Sequence, residues 1–263
     1  MNKSHWTEIH RVWHRYTPPV RPNGEVVDAL WRQIGGRPGP VLLLGVTPEL
    51  ADIAPDLVAL DKNPSMVANL WPGNAPSRRA VVGNWLNCNF APASFAACIG
   101  DGSLCVVRYP DEMIRLCGQL AAALRPGGRL ALRVFAQAEI PSTPESVAQD
   151  ALRGAIRNFH GFKWRLAMAI AGQRGNPNVE MGWVFEAFHR MFPDRGRLAA
   201  STGWNREEIE TIEFLKGSSA ITSFPSRRQL QEVVERSLSD VRFVSAGTYE
   251  VAEHCPLLVA DRA

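Results

Sequence analysis

Gly45 and Asp61 are the residues whose types and spacing best suggest chemistry. Gly45 ends the apolar run Val41-Leu42-Leu43-Leu44, and Asp61 ends a second run, Leu57-Val58-Ala59-Leu60, sixteen residues later. An apolar strand, a glycine turn, a short helix and a second strand ending in an acid form the opening of a nucleotide-binding βαβ unit. A glycine without Cβ lets the backbone turn tightly and approach a ligand. A carboxylate at the second strand's end can accept two hydroxyl hydrogen bonds from a ribose, each worth about 1.5–3 kcal/mol. The alternative role for Asp61 is an N-cap for a helix starting at Pro64. The turn itself is Val46-Thr47-Pro48-Glu49. Pro48 removes a donor and Glu49 adds negative charge where a dinucleotide places its pyrophosphate, so both oppose that ligand.

Further candidates follow in chain order. Lys62 stands directly after Asp61. Asn84 and Trp85 follow a third apolar run, Ala80-Val81-Val82-Gly83, where an amide and a ring could meet a base. Core packing is the competing role for Trp85. Asp101 and Gly102 end a fourth run, Phe95–Gly100, beside the first strand at the topological switch point. The competing role for Asp101 is to hydrogen-bond the Gly102-Ser103 loop. No catalytic residue is singled out. His10, His14, His160 and His189 are candidate bases, with Tyr109 as an orienter, and lone histidines are more often surface or packing residues. Trp6, Trp13, Tyr16, Trp164, Trp183 and Phe185 could wall a pocket or simply fill the core.

These residues need a scaffold. Helical spacing predicts a short helix over 4–15 and another over 25–34. Strands are expected at 41–44, 57–60, 80–83, 95–101 and 129–135, with helices at 64–70 and 111–124 between them. The fold class is therefore α/β: a doubly wound, mostly parallel seven-stranded sheet with helices on both faces. From 136 to 224 the pattern is helical only, near 144–158, 162–173, 179–192 and 205–216. A helix at 227–238 and strands at 241–251 and 256–260 close the chain, and the short link between the strands predicts an antiparallel C-terminal hairpin. The expected organisation is an N-terminal helical arm (1–40), a sheet domain (41–135 and 225–263) and a helical insertion (136–224).

The chain has 263 residues, 46% of them hydrophobic, with a net charge of +3. That suffices for one large core and makes no demand for a nucleic-acid partner. No apolar run is long enough to span a bilayer. The polar, aromatic N-terminus lacks the apolar core of a signal peptide, so a cytoplasmic protein is expected. Five cysteines without CxxC pairing read as reduced structural thiols, and no metal site is expected.

Taken in order, the Gly45 turn, Asp61, Gly83-Asn84-Trp85 and Leu124-Arg125-Pro126-Gly127-Gly128-Arg129-Leu130 resemble the class I S-adenosylmethionine-dependent methyltransferases. The resemblance covers about 41–135 and 225–262. It departs from the family at Leu43, where an acid is usual, and at Thr47 and Glu49, where further glycines are usual. It implies S-adenosylmethionine as the cofactor, held by Gly45, Thr47, Glu49, Asp61, Lys62, Asn84, Trp85, Asp101 and Gly102. That cofactor has no phosphate at the turn, and its ammonium could pair with Glu49. It also implies methyl transfer; the leading reading is a small-molecule acceptor, with the helical insertion forming a substrate lid.

An RNA methyltransferase and a non-catalytic cofactor-binding protein remain alternatives, with a dehydrogenase behind them. Arg153, Arg157, Lys163, Arg165 and Arg174 give the insertion positive charge, although a solvated face is the commoner reading. Arg108-Tyr109-Pro110-Asp111 is not the Asn/Asp-Pro-Pro-aromatic motif of base-amino methyltransferases. Cys105 lies near where a cytosine-C5 enzyme would hold its nucleophile, without the partner motif.

Overall fold

The computed structural model describes Trp6, residues 8–35, 39–88 and 90–263. Residues 4, 5 and 7 of the expected first helix lie outside the described residues. So do 36–38, in the expected break after the second helix. The arm begins with a 3-10 helix, Ile9–Arg15, followed by α1 (Gly24–Ile34). The Asn23 side chain caps α1 by accepting from the Val26 N–H at 3.2 Å.

β1 (Val41–Leu44) and β2 (Leu57–Asp61) are buried apolar runs, as their composition requires. Only a single 3-10 turn, Pro48–Leu50, joins them. α2 (Pro64–Leu70) leads to β3 (Arg78–Val82), and a second 3-10 turn, Trp85–Asn87, leads to β4 (Phe95–Asp101). α3 (Asp111–Ala123) then feeds β5 (Leu124–Arg133). After the insertion come α9 (Arg227–Val234), β8 (Ser239–Val244) and β9 (Leu257–Asp261). The insertion contributes α4 (Pro144–Leu152), α5 (Phe159–Arg174), β6 (Asn178–Glu180), α6 (Met181–Met191), α7 (Arg195–Thr202), α8 (Arg206–Glu210) and β7 (Ile221–Ser223).

The main sheet has seven strands in the order β3-β2-β1-β4-β5-β9-β8. β3 to β5 pair in parallel, and β9 runs antiparallel to both β5 and β8. The mostly parallel sheet and the antiparallel C-terminal pair match the expectation. Alternate residues of each strand feed opposite faces. Leu42 and Leu44 join one core with α3, α9 and the insertion, whereas Val41 and Leu43 join another with α1, α2 and the arm.

Several expected elements differ. The strand over 241–251 stops at Val244, because Thr248 turns aside to donate its N–H to Glu25 at 2.7 Å. The helix over 144–158 is broken: Gly154 takes a φ of +75° and Asn158 caps the new helix α5. The insertion is not purely helical, since β6 and β7 pair antiparallel. α7, capped by Asp194, was not anticipated. The helix over 205–216 winds down into a 3-10 turn at Thr211–Leu215, and the one over 227–238 ends at Val234.

The insertion is built on aromatic packing. Phe162 lies 6.2 Å from Phe188, 5.8 Å from Phe192 and 5.3 Å from Trp204, centroid to centroid. It is fully buried in the core shared with β4 and β5. Phe162→Ala should therefore destabilise the protein by about 3–5 kcal/mol. Guanidinium denaturation should show an earlier midpoint with one transition still, because insertion and sheet share that core.

Candidate functional site

Gly45 adopts a φ of +100°, a conformation that disfavours a side chain. A Cβ placed there would lie 3.9 Å from Asp61 Oδ2, 3.9 Å from the Trp85 ring and 4.0 Å from Thr47 Oγ1. Those three expected residues thus converge on one turn. The Gly45 N–H donates to the Leu60 carbonyl at 2.8 Å, and the Trp85 indole N–H donates to the same oxygen. Trp85 is therefore a wall of the turn, fixed at its polar edge. Asp61 Oδ1 accepts the Asn63 N–H at 2.8 Å, while Oδ2 has no partner among the described residues. Asp61 does not cap α2; the Asn63 side chain does, accepting from the Ser65 N–H at 3.0 Å. Burial pushes the Asp61 carboxyl above its ordinary range, opposed by the Asn63 N–H and by Lys62.

Glu49 sits on the far side of the turn. One of its oxygens, Oε1, accepts from the Trp13 indole at 3.1 Å and from the Arg21 guanidinium. The other, Oε2, is buried with no partner among the described residues. A buried carboxylate oxygen left open at a glycine turn is a fitting acceptor for a cationic ligand group. The 3-10 turn after Gly45 spans one turn only, so no helix dipole is available for a phosphate.

Asn84 is exposed, and its Oδ1 accepts the Leu86 N–H at 3.0 Å, leaving the amide nitrogen open among the described residues. Lys62 is exposed and makes no hydrogen bond among the described residues. Gly102 has a φ of +68°, and a Cβ there would meet Phe135 at 2.9 Å, so the close approach serves packing against that ring. Asp101 is turned inward: it pairs with Arg133, and both side chains are buried. The expected hydrogen bond from Asp101 to the Gly102-Ser103 loop is not made.

Arg133 is the residue that sequence reasoning missed. Its guanidinium also donates to the Tyr249 hydroxyl at 3.0 Å and to the Pro19 carbonyl at 2.8 Å. Burial alone would lower its pKa, but the Asp101 carboxylate, Tyr249 and Cys255 together raise it, so the group stays charged. Burial likewise pushes the Asp101 carboxyl up, with Arg133 opposing. The available signal was an arginine inside the apolar strand Leu130-Ala131-Leu132-Arg133-Val134-Phe135.

The arm crosses the C-terminal edge of the sheet. Asn63 Nδ2 donates to the Trp6 carbonyl, Trp13 and Arg21 reach Glu49, and Arg133 holds Pro19. At its inner end the His160 ring reaches the Arg15 carbonyl at 3.1 Å. The other candidate bases are elsewhere. His10 lies 3.3 Å from Ser65 Oγ, His14 is exposed, and the exposed His189 stacks on Phe185. The Tyr109 backbone is tied to Asn178. Of the pocket candidates, Trp13, Tyr16 and Trp164 gather near the arm, while Trp183 carries Arg174 at 3.8 Å.

Three of the insertion's candidate cations pair with acids, two of them with acids outside the insertion. Arg153 pairs with Asp150, Arg157 with Glu250, and Arg165 with Glu250 and Glu253. Lys163 is not on a solvated face: it is 2% exposed. Cys105 is no nucleophile. Its sulfur is buried, accepts the Phe135 N–H at 3.1 Å, and burial pushes the thiol up to about 12. All five cysteines are free. Among the described residues no helix is long and apolar enough to cross a membrane, and no group of three or more potential ligands could hold a metal ion.

Replacing Arg133 with Met should leave Asp101 buried and unpaired, at a cost of about 3–5 kcal/mol. Thermal and denaturant unfolding would measure it; a variant as stable as the parent would refute the structural weight given to this pair.

No protein-family model matches the chain, and no curated protein matches it. Solved structures do. One from Rhodobacter sphaeroides, provisionally described as a Zn-dependent alcohol dehydrogenase, has a TM-score of 0.57 at 11% identity, covering 92% of this chain and 91% of its own. A SAM-dependent methyltransferase from Methanosarcina mazei has a TM-score of 0.52 at 13% identity, covering 88% and 95%. An amino pentose methyltransferase from Micromonospora echinaspora, solved with SAM bound, has a TM-score of 0.53 at 14% identity, covering 91% and 90%. A classic dinucleotide fold continues beyond its fifth strand with a sixth in the order 3-2-1-4-5-6, whereas here the antiparallel β9 lies between β5 and β8. The chain has the fold of the class I methyltransferases.

Proposed function

We propose that this chain transfers a methyl group from S-adenosylmethionine to a small-molecule acceptor. The observation that carries the reading is a pair of carboxylate oxygens open among the described residues: Asp61 Oδ2, beside Gly45, and the buried Oε2 of Glu49 in the 3-10 turn that follows it. They suit a ligand with a ribose diol at one end and an ammonium at the other. Asp61 would hold the ribose and Glu49 the amino group, with Gly45 and Thr47 lining the approach. The open amide of Asn84 and the Trp85 ring would meet the adenine, and Lys62 would flank the ribose end. Asp101 and Gly102 would act at one remove, by fixing Arg133 and Phe135 beneath the crevice.

The bound sulfonium supplies an activated methyl group. The protein's work is then to align the acceptor and exclude water, and alignment of reacting atoms contributes roughly 7–11 kcal/mol. The arm (1–40) and the insertion (136–224) serve as the cover over the sheet domain (41–135 and 225–263), with the insertion as substrate lid. A small acceptor is favoured over RNA because Arg153, Arg157 and Arg165 are paired with acids and Lys163 is buried. The free cysteines support the reducing, cytoplasmic setting expected from the sequence.

Calorimetry with S-adenosylmethionine tests the cofactor, and a screen of acceptors for S-adenosylhomocysteine formation tests turnover. Tight binding with no turnover across the screen would favour the non-catalytic alternative. Asp61→Ala should weaken cofactor binding tenfold or more, about 1.4 kcal/mol. Unchanged affinity in a folded variant removes Asp61 from the site. Ribose recognition uses the ionised carboxylate, so affinity should be present above the raised Asp61 pKa and lost as pH falls through it. The loss should begin at a higher pH than for an ordinary aspartate, and Asp61→Asn should flatten that part of the profile.

A further inference from the structure

We propose that the cleft between α5, the loop that follows β5 and the 3-10 turn before β9 is a binding site for a small aliphatic carboxylate, with Arg165 as its anchor. The site shares no residue with the glycine turn, and the proposal does not depend on methyl transfer.

One face of α5 forms the floor. Residues 161, 165, 168, 169 and 172 recur at helical spacing and so lie along one side of the helix. Glycines stand at both ends of that face, and other stretches of chain close on them. A Cβ at Gly161 would run into the Glu250 side chain, and one at Gly172 would run into Pro141. Between the two closures lies a cleft with about 50 Å³ open to water-sized groups. Arg165, Met168 and Ala169 of α5, Ala138 and Pro141 of the loop, and His254 of the turn Ala252–His254 line it. That is room for roughly three or four groups the size of a water, enough for a carboxylate and its first carbon.

Charge gathers at the Arg165 end. The Arg165 side chain is 31% exposed, and its Nη2 stands 3.7 Å from both Glu250 and Glu253. At that distance the contacts are ion pairs and not hydrogen bonds. Glu250 is already matched by the Arg157 guanidinium, which donates to it at 3.0 Å. Glu253 is exposed, so solvent can take it when a ligand displaces it. Arg227 completes the corner, donating to the Glu253 carbonyl at 2.8 Å. Three guanidiniums thus meet two carboxylates, and the remaining positive charge favours an anion. A ligand carboxylate can take two parallel bonds from Arg165, which neither glutamate does. Burial holds the His254 imidazole below its ordinary pKa, with Glu253 opposing, so the ring is neutral near pH 7 and offers one N–H.

The other end is apolar. Met168, Ala169, Ala138 and Pro141 carry no charge, and the Gln137 amide is engaged, donating to the Met168 carbonyl at 3.2 Å. Ile140, next to Pro141 in the chain, is 88% exposed and offers apolar surface to an aliphatic chain that projects past the loop. The turn that carries His254 starts at a strained residue. Val251 is buried with a φ of +69°, which a β-branched side chain rarely adopts. Such strain persists where its surroundings hold it, and it gathers at ligand sites.

Ligand-observed NMR titration of the 263-residue chain with butyrate, acetate and butan-1-ol tests the site. Saturable butyrate binding is expected, at least threefold tighter than acetate, with butan-1-ol at least tenfold weaker. Inorganic phosphate should compete with butyrate at least tenfold less well than acetate does. Arg165→Met should weaken butyrate binding at least tenfold, and Glu253→Gln should tighten it severalfold by removing the competing acid. Ala138→Leu fills the cleft from the loop side and should abolish binding; it carries the test if Arg165→Met does not fold. Absence of saturable binding, or binding that survives Arg165→Met or Ala138→Leu, would overturn the proposal. So would butan-1-ol or phosphate matching butyrate, or a Glu253→Gln variant that does not tighten. Asp61→Ala should leave the butyrate titration unchanged. A chain that binds butyrate but no S-adenosylmethionine sinks the methyltransferase reading alone, and the reverse result sinks only this site.

Discussion

The Arg133 guanidinium is where four separate stretches of chain meet. It pairs with Asp101 at the end of β4, reaches Tyr249 in the loop before β9, and holds the Pro19 carbonyl of the arm. It stands at the last residue of β5, fully buried. A charge so placed is tolerated because its donors are matched and its counter-ion lies in contact. The arm takes part in this: the Pro19 carbonyl is one of the three acceptors of the guanidinium. The path of the arm at Pro19 is thus tied to satisfying one buried cation.

A second consequence concerns the glycine turn. With the arm in place, Trp13 and Arg21 are brought to Glu49, which otherwise would be an acid alone at the mouth of the crevice. One oxygen is satisfied and the other is left open inside. The departures from a glycine-rich motif acquire a physical meaning here. The crossover holds only the 3-10 turn Pro48–Leu50, so the helix dipole a phosphate would use is missing. In its place stands an acceptor suited to a cationic group.

Much of the fold was legible because its signals are local. Continuous apolar runs set β1, β2 and β4, and Pro64 set the start of α2, all close to where the sequence placed them. The insertion was less legible. Gly154 and Asn158 split one expected helix, and β6 is only three residues long, too short for periodicity to register. The site divides in the same way. Gly45, Thr47, Asp61 and Trp85 are neighbours through the crossover and were found together. Asp101 stands out in the sequence at a strand end, but its pairing with Arg133 does not, and nothing local marks Lys163 as buried.

By itself the sequence determined the alternation of strands and helices, the glycine turn and the acid that closes β2. These depend on residue type and on spacing within a few turns of chain. Only the tertiary structure decided which acids are open and which are spent. Arg133 and Pro19 are 114 residues apart, and His160 and Arg15 are 145 apart. Pairing and burial over such separations are set when the arm, sheet and insertion close on one another. That closure turned Lys163 and His160 from surface candidates into buried polar groups, because desolvation belongs to the folded surroundings of a side chain and not to its neighbours in sequence.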